Sequence, residues 1–72
     1  MKITYDREGD ILYISFLETT VTTKHVAPGI SVDYDSTGRL AGIEILDTIK
    51  RLGDKDVFKQ VTLEDVVSRS SA

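Results

Sequence analysis

The side chains best suited to chemistry are carboxylates that lie in pairs at two predicted turns. Asp6 and Asp10 bracket the segment "DREGD", and Asp33 and Asp35 flank Tyr34. Such a pair could act as general acid and base, or provide oxygen ligands for Ca2+ or Mg2+. Carboxylates at hairpin tips stay hydrated, so the raised pKa that a general acid needs is not expected. The sequence therefore favours a structural role, with a metal-dependent hydrolase as the enzymatic alternative.

Other reactive side chains are scarce. The 72 residues include no cysteine, which excludes disulfides, thiolate metal ligands and cysteine nucleophiles. The one histidine, His25, lies in a Thr-rich segment with no evident nucleophile beside it, which is typical of a solvated strand residue. We therefore predict no catalytic residues, no metal ligands and no cofactor.

Four cations occur in the segment from Lys50 to Lys59, where they could form a modest phosphate-facing patch. Three acids interleave with them, and the formal net charge of the whole chain is -3. A mixed, solvated surface is the expectation, so nucleic-acid binding is disfavoured, and a weak nucleic-acid binder is the third functional class. The cations are Lys50, Arg51, Lys55 and Lys59, and the acids are Asp47, Asp54 and Asp56.

No apolar run approaches the roughly 18 residues of a membrane span, and no segment resembles a signal peptide. A cytoplasmic protein without membrane contact is expected. A chain of 72 residues forms one domain with a marginal core. Because disulfides are excluded, a partner subunit is the natural source of additional stability.

Alternating apolar residues predict about five short antiparallel strands. Two similar hairpins, residues 2–17 and 30–46, are joined through a Thr-rich strand around residues 20–26. Asp carboxylates that accept N–H bonds two residues on, together with Gly and Pro, define the turns. These structural turn residues are Asp6, Gly9, Pro28, Gly29, Asp35 and Gly38, with positive φ expected at the glycines.

The two hairpins are copies of one pattern. At an offset of 29 residues, "YDREGDILYISF" aligns with "YDSTGRLAGIEI", so that Ile14 pairs with Ile43 and Gly9 with Gly38. Because the inward apolar positions recur while surface positions differ, the repeat indicates a duplicated scaffold and not a duplicated site. A sheet with approximate twofold symmetry is predicted.

Past residue 46 the pattern becomes helical. A short helix should follow Asp47, a candidate cap, and end at Gly53, and a second should begin after Thr62 and carry Leu63, Val66 and Val67 on one face. The stretch from Val57 to Val61 fits a helical turn and an extended piece equally well. The predicted fold is thus a single α+β domain over residues 1–69, with a sheet over 1–46, helical segments over 47–69 and a frayed tail over 70–72.

The segments "YDREGDILYISF" and "VAPGISVDYDSTGRLAGIEILD" resemble the domain of unknown function numbered 2283, a family of small prokaryotic proteins. The resemblance extends from Tyr5 to about Asp47. It implies a fold more than a function, because no catalytic residues come with it. It also implies a neighbouring gene for a small toxin-like ribonuclease, and hence an antitoxin or partner role. The matching positions are Tyr5, Asp6, Asp10, Leu12, Tyr13, Ile14, Gly29, Asp33, Tyr34, Asp35, Gly38, Gly42, Ile43, Glu44, Ile45 and Leu46.

The candidate contact surface consists of Tyr13, Asp33, Gly42 and Glu44. A strand glycine such as Gly42 marks a bulge or a close approach by another group, and the neighbouring acid could bind a basic partner. The structural alternative is that Gly42 accommodates an aromatic ring from a neighbouring strand, either Tyr13 or Tyr34.

Apolar residues are expected on both faces of the sheet, because Ile11, Tyr13, Leu17, Leu40 and Leu46 alternate with the inward set. The C-terminal helical segment can cover only one face, which predicts a homodimer, with curling of the sheet around its own core as the structural alternative. We therefore expect a non-enzymatic, homodimeric interaction protein. Its acidic surface, formed by Asp33, Asp35 and Glu44, would contact a small basic protein.

Overall fold

The computed structural model describes residues 1–64 and confirms the α+β class. The antiparallel sheet has the strand order β1-β2-β5-β4-β3, so the two hairpins lie side by side through β2 and β5. The elements are β1 (Lys2–Asp6), β2 (Ile11–Ser15), β3 (Thr22–Ala27), β4 (Ile30–Tyr34), β5 (Leu40–Ile45), the helix α1 (Thr48–Leu52) and one 3-10 turn (Val57–Lys59). No helix in residues 1–64 has the length and apolarity to cross a membrane.

The strand register has the approximate twofold symmetry that the repeat predicts. At the centre of the sheet Ile14 lies opposite Ile43, its own equivalent in the second copy. On either side of this pair, Ile3 lies opposite Ile14 in the first hairpin and Val32 opposite Ile43 in the second. The approximate axis therefore passes between Ile14 and Ile43.

The two hairpins differ at their turns. In the first, Tyr5 pairs with Leu12, whereas in the second the register shifts between Asp33 and Tyr34, so that Tyr34 pairs with Leu40. A bulge of this kind places one extra residue on one strand and redirects the chain. The symmetry therefore holds in the ladders and breaks at the tips.

One face of the sheet, here called the apolar face, carries two rows of mainly aliphatic side chains. Cross-strand pairing places these residues side by side, but the described part of the C-terminal segment covers only one end, where Phe58 packs on Tyr5 with ring centroids 4.6 Å apart. In residues 1–64, Leu12 and Ala41 are the only buried hydrophobic residues, and Ile3 is 47% exposed. The rows are Ile3, Ile14, Ile43 and Val32, and Tyr5, Leu12, Ile45 and Ile30.

The opposite face is mainly polar, which differs from the expectation of two apolar faces. Of the apolar residues assigned to it, Leu17, Leu40 and Leu46 lie at or beyond the strand ends and are 45%, 44% and 39% exposed. The polar rows are Thr4, Tyr13, Glu44, Ser31 and His25, and Lys2, Ser15, Gly42, Asp33 and Thr23. Within residues 1–64, the face without a cover is therefore the apolar one.

The C-terminal segment agrees in part with the sequence. Helix α1 follows Asp47 and ends at Gly53, whose φ of 77° suits a glycine C-cap. Asp47 occupies the N-cap position, as predicted, but it is in the left-handed region and its side chain makes no capping bond. The stretch from Val57 to Val61 fits two conformations by its sequence. In the structure it forms the 3-10 turn Val57–Lys59 and is extended at Gln60. The helix predicted after Thr62, with Val66 and Val67, lies outside the described residues.

The junction between the sheet and α1 depends on one threonine. The side chain of Thr48 is the largest that is fully buried in residues 1–64. Its hydroxyl accepts the N–H of Leu12 at 3.1 Å and donates toward the carbonyl oxygens of Ile45 at 2.9 Å and Asp10 at 3.1 Å. These bonds close the end of the sheet where β2 and β5 separate.

Replacing Thr48 with Val keeps the shape of the side chain but leaves the buried N–H of Leu12 without an acceptor. We expect Thr48→Val to lower the free energy of unfolding by about 1–3 kcal/mol in urea denaturation. Thr48→Ser is the matched control because it keeps the hydroxyl and loses only a methyl group. Equal stability of Thr48→Val and wild type would contradict this role.

Candidate functional site

The turn carboxylates of Asp6 and Asp35 accept backbone N–H groups within their own turns. The Asp6 carboxylate accepts from Glu8 N at 3.1 Å and Gly9 N at 3.3 Å. That of Asp35 is buried and accepts from the backbone N–H groups of Thr37 and Arg39, both at 2.9 Å. The Thr37 hydroxyl, these N–H groups and the Arg39 guanidinium lower the pKa of Asp35 to about 2. An anion this strongly bonded lacks the proton of a general acid at neutral pH.

The glycines of the turns divide into two kinds. Gly29 and Gly38 have φ values of 76° and 87°, as their turns require. Gly9 does not have a positive φ, and the left-handed residue of the first turn is Asp10, at 56°. The prediction that Gly9 is needed for a positive φ is therefore wrong. A Cβ at Gly9 would lie 3.1 Å from the Asp6 carboxylate, so close approach explains this glycine instead.

The left-handed backbone of Asp10 places its carboxylate at the start of α1. One oxygen of Asp10 accepts the Tyr5 hydroxyl at 2.6 Å and the N–H of Ile49 at 2.9 Å. The Tyr5 bond, and then the N–H groups of α1, lower the pKa of Asp10. Asp10 thus makes, from the first turn, the side-chain capping bond that Asp47 does not make. Its carboxylate therefore has a structural role.

All four residues of the candidate contact surface lie on the polar face, and three of them are in contact. The ring of Tyr13 crosses Gly42, and its hydroxyl donates to Asp33 at 2.6 Å. Asp33 also accepts the hydroxyl of Thr23, so the network spans β2, β5, β4 and β3. The bond to Asp33, together with burial, raises the pKa of Tyr13 to about 12.

The network explains why position 42 is a glycine. A Cβ there would lie 2.8 Å from Cζ of Tyr13 and closer still to its hydroxyl oxygen. Gly42 therefore accommodates an aromatic ring from a neighbouring strand, which was the structural alternative, and that ring belongs to Tyr13. The side chain of Tyr34 lies on the other face of the sheet.

Glu44 is the fourth residue of the candidate contact surface. It lies between Tyr13 and Ser31 in one polar row and is half-buried. Its carboxylate accepts no hydrogen bond and forms no ion pair within residues 1–64, in contrast to Asp33 and Asp35. Among these three acids, Glu44 therefore has the carboxylate that is available to a ligand.

Sequence reasoning missed a partner for His25. The hydroxyl of Ser31, on the neighbouring strand, lies 2.8 Å from Nδ1 of the imidazole. Serine and histidine at this distance could serve as nucleophile and base, but Ser31 is only 6% exposed, and no described carboxylate bonds to the ring. The antiparallel register of β3 and β4 was the signal that could have located the pair.

The described residues assemble no metal centre. No group of three or more His, Asp or Glu side chains within residues 1–64 could hold a metal ion. Two cations of the segment from Lys50 to Lys59 are also engaged. Arg51 donates to the carbonyl oxygens of Leu46 and Pro28, and Lys59 forms an ion pair with Asp56 at 3.4 Å.

These observations define a small α+β protein with one five-stranded sheet, in which most polar groups near the turns serve the fold. The chain belongs to the family described as a protein of unknown function (DUF2283), whose model matches residues 2–48. The resemblance inferred from the sequence is thereby confirmed. No curated protein and no solved structure gives a significant match.

We expect Gly42→Ala to lower the free energy of unfolding by about 1–3 kcal/mol, because the added methyl group overlaps the Tyr13 ring. In a Tyr13→Ala background the part of this cost that comes from the ring should disappear, whereas the 3.0 Å approach to the backbone oxygen of Ile14 remains. A double-mutant cycle by urea denaturation measures the coupling. Equal costs in both backgrounds would show that Tyr13 does not determine the residue at position 42.

Proposed function

We propose that the protein is a non-enzymatic interaction protein. It forms a homodimer through the apolar face of its sheet and presents its polar face to a second, basic protein. The observation that carries this proposal is that most of the apolar face has no cover from the described residues. In residues 1–64, Ile14, Ile43 and Val32 at its centre are only half-buried, and Ile3 is 47% exposed.

An uncovered apolar face of this kind is costly in water and marks an interaction surface. Its chemistry favours a second copy as the occupant. In a twofold dimer each surface meets itself, so any charge near the axis meets a like charge. The two apolar rows contain no charged residue, and Lys24, which extends one row onto the edge strand β3, lies at the rim. Two copies of such a face can therefore pack against each other about a twofold axis without repulsion between like charges.

The polar face supports the second contact. Tyr13 and Asp33 form a rigid bonded pair, and Glu44 beside them has an unengaged carboxylate within the described part of the chain. A half-buried carboxylate on a rigid strand is suited to a Lys or Arg side chain of a partner. The toxin-like protein implied by the family resemblance is a partner of this type. Co-purification with the product of the adjacent gene tests this contact, with Glu44→Gln as the variant that should weaken it.

We expect wild-type protein to show the mass of a dimer, twice the 8.0 kDa of the chain, in light scattering at micromolar concentration. Ile14→Lys should give the monomer mass, because it places two like charges at the centre of the apolar interface. Ile14 is half-buried within the single chain, so circular dichroism checks that the variant still folds.

Leu63→Lys is the matched control, since the same change is made at a side chain that is 88% exposed and outside the sheet. This variant should remain a dimer. A monomer mass for the wild type would overturn the proposal, and so would a dimer mass for Ile14→Lys with unchanged circular dichroism.

A further inference from the structure

A cleft lies between the first turn and the C-terminal segment, at the covered end of the apolar face. Its volume is about 530 Å3, which is in the usual range of small-ligand sites. The rings of Tyr5 and Phe58, which pack at an interplanar angle of 33°, contribute its aromatic surface, and Ile49 adds an aliphatic one. The other lining residues are Arg7, Lys55, Asp56 and Lys59.

The charge of the cleft is opposite to that of the chain. Three cations and one acid line it, whereas the whole chain has a formal net charge of -3. Lys59 pairs with Asp56 at 3.4 Å, but neither Arg7 nor Lys55 forms an ion pair with any residue in 1–64. Within residues 1–64, two cations without an ion-pair partner therefore lie beside a half-buried aromatic surface.

We infer that this cleft binds an aromatic phosphate monoester of the size of a mononucleotide. The base would pack against Phe58, and the phosphate would take the guanidinium of Arg7 and the ammonium of Lys55. A guanidinium forms bidentate hydrogen bonds with phosphate oxygens, and an aromatic ring can stack on any planar base. The inference does not depend on the proposed dimer, because it rests on the residues of one chain.

The surroundings favour a free nucleotide over a nucleic-acid strand. A protein that binds a nucleic-acid strand needs a continuous row of basic residues along the phosphates of several nucleotides. Here three cations line the cleft, and Asp54 and Asp56 interrupt the basic residues in sequence. Tyr5 is also fixed by its bond to Asp10, which keeps the aromatic surface in place without a ligand.

The test is a titration of the 15N-labelled protein with adenosine 5′-monophosphate at millimolar concentration, followed by amide chemical shifts. Shifts should concentrate at Tyr5, Arg7 and the segment from Lys55 to Lys59. Adenosine alone and inorganic phosphate alone should each bind more weakly. The double variant Arg7→Gln/Lys55→Gln should weaken binding by about tenfold or more, since each cation contributes a charge-assisted bond.

Lys2→Gln/Lys24→Gln is the matched control, because it removes the same charge from β1 and β3, away from the cleft. It should leave the affinity unchanged. The inference is overturned if the nucleotide causes no localised shifts, or if both double variants weaken binding equally. Tighter binding of a single-stranded oligonucleotide than of the mononucleotide, at the same residues, would overturn the choice of a free nucleotide.

Discussion

The hydroxyl of Thr48 joins segments that no apolar core holds together. It lies where β2 and β5 separate, and it connects the main chain of both strands to the start of α1. In residues 1–64 only Leu12 and Ala41 are buried hydrophobic residues, so little apolar burial is available to position the helix. Directed hydrogen bonds take over that task. The carboxylate of Asp10, which caps α1, depends on the same junction for its position.

The duplicated hairpin explains both the regularity of the sheet and the places where it fails. The ladders repeat because the aliphatic residues repeat, with Ile14 opposite Ile43 at the centre. The turns do not repeat, because positive φ falls on Asp10 in the first copy and on Gly38 in the second. This difference gives the first turn a carboxylate that reaches α1. The second turn instead encloses its own anion, Asp35.

The sequence predicted the class, the strands and the repeat, because alternation and turn residues are local signals. It did not predict that the carboxylate of Asp10, and not that of Asp47, would make the capping bond to helix α1. That bond runs from the N–H of Ile49 to Asp10, 39 positions apart. For the same reason the partners of Tyr13 and His25 became visible only with the register. The polar character of the second face was also missed. The leucines assigned to it by alternation lie at or beyond the strand ends, where alternation no longer decides orientation.

The symmetric register at the centre of the sheet has a consequence for how chains can assemble. Strand β2 presents β5 with the same pattern that β5 presents to β2, and the two hairpins are linked through residues 16–21 and β3. The first hairpin of one molecule could therefore pair with the second hairpin of another through an identical ladder. Such an exchange creates no new contact and needs only an extended connection. The internal repeat thus makes domain swapping available to this fold.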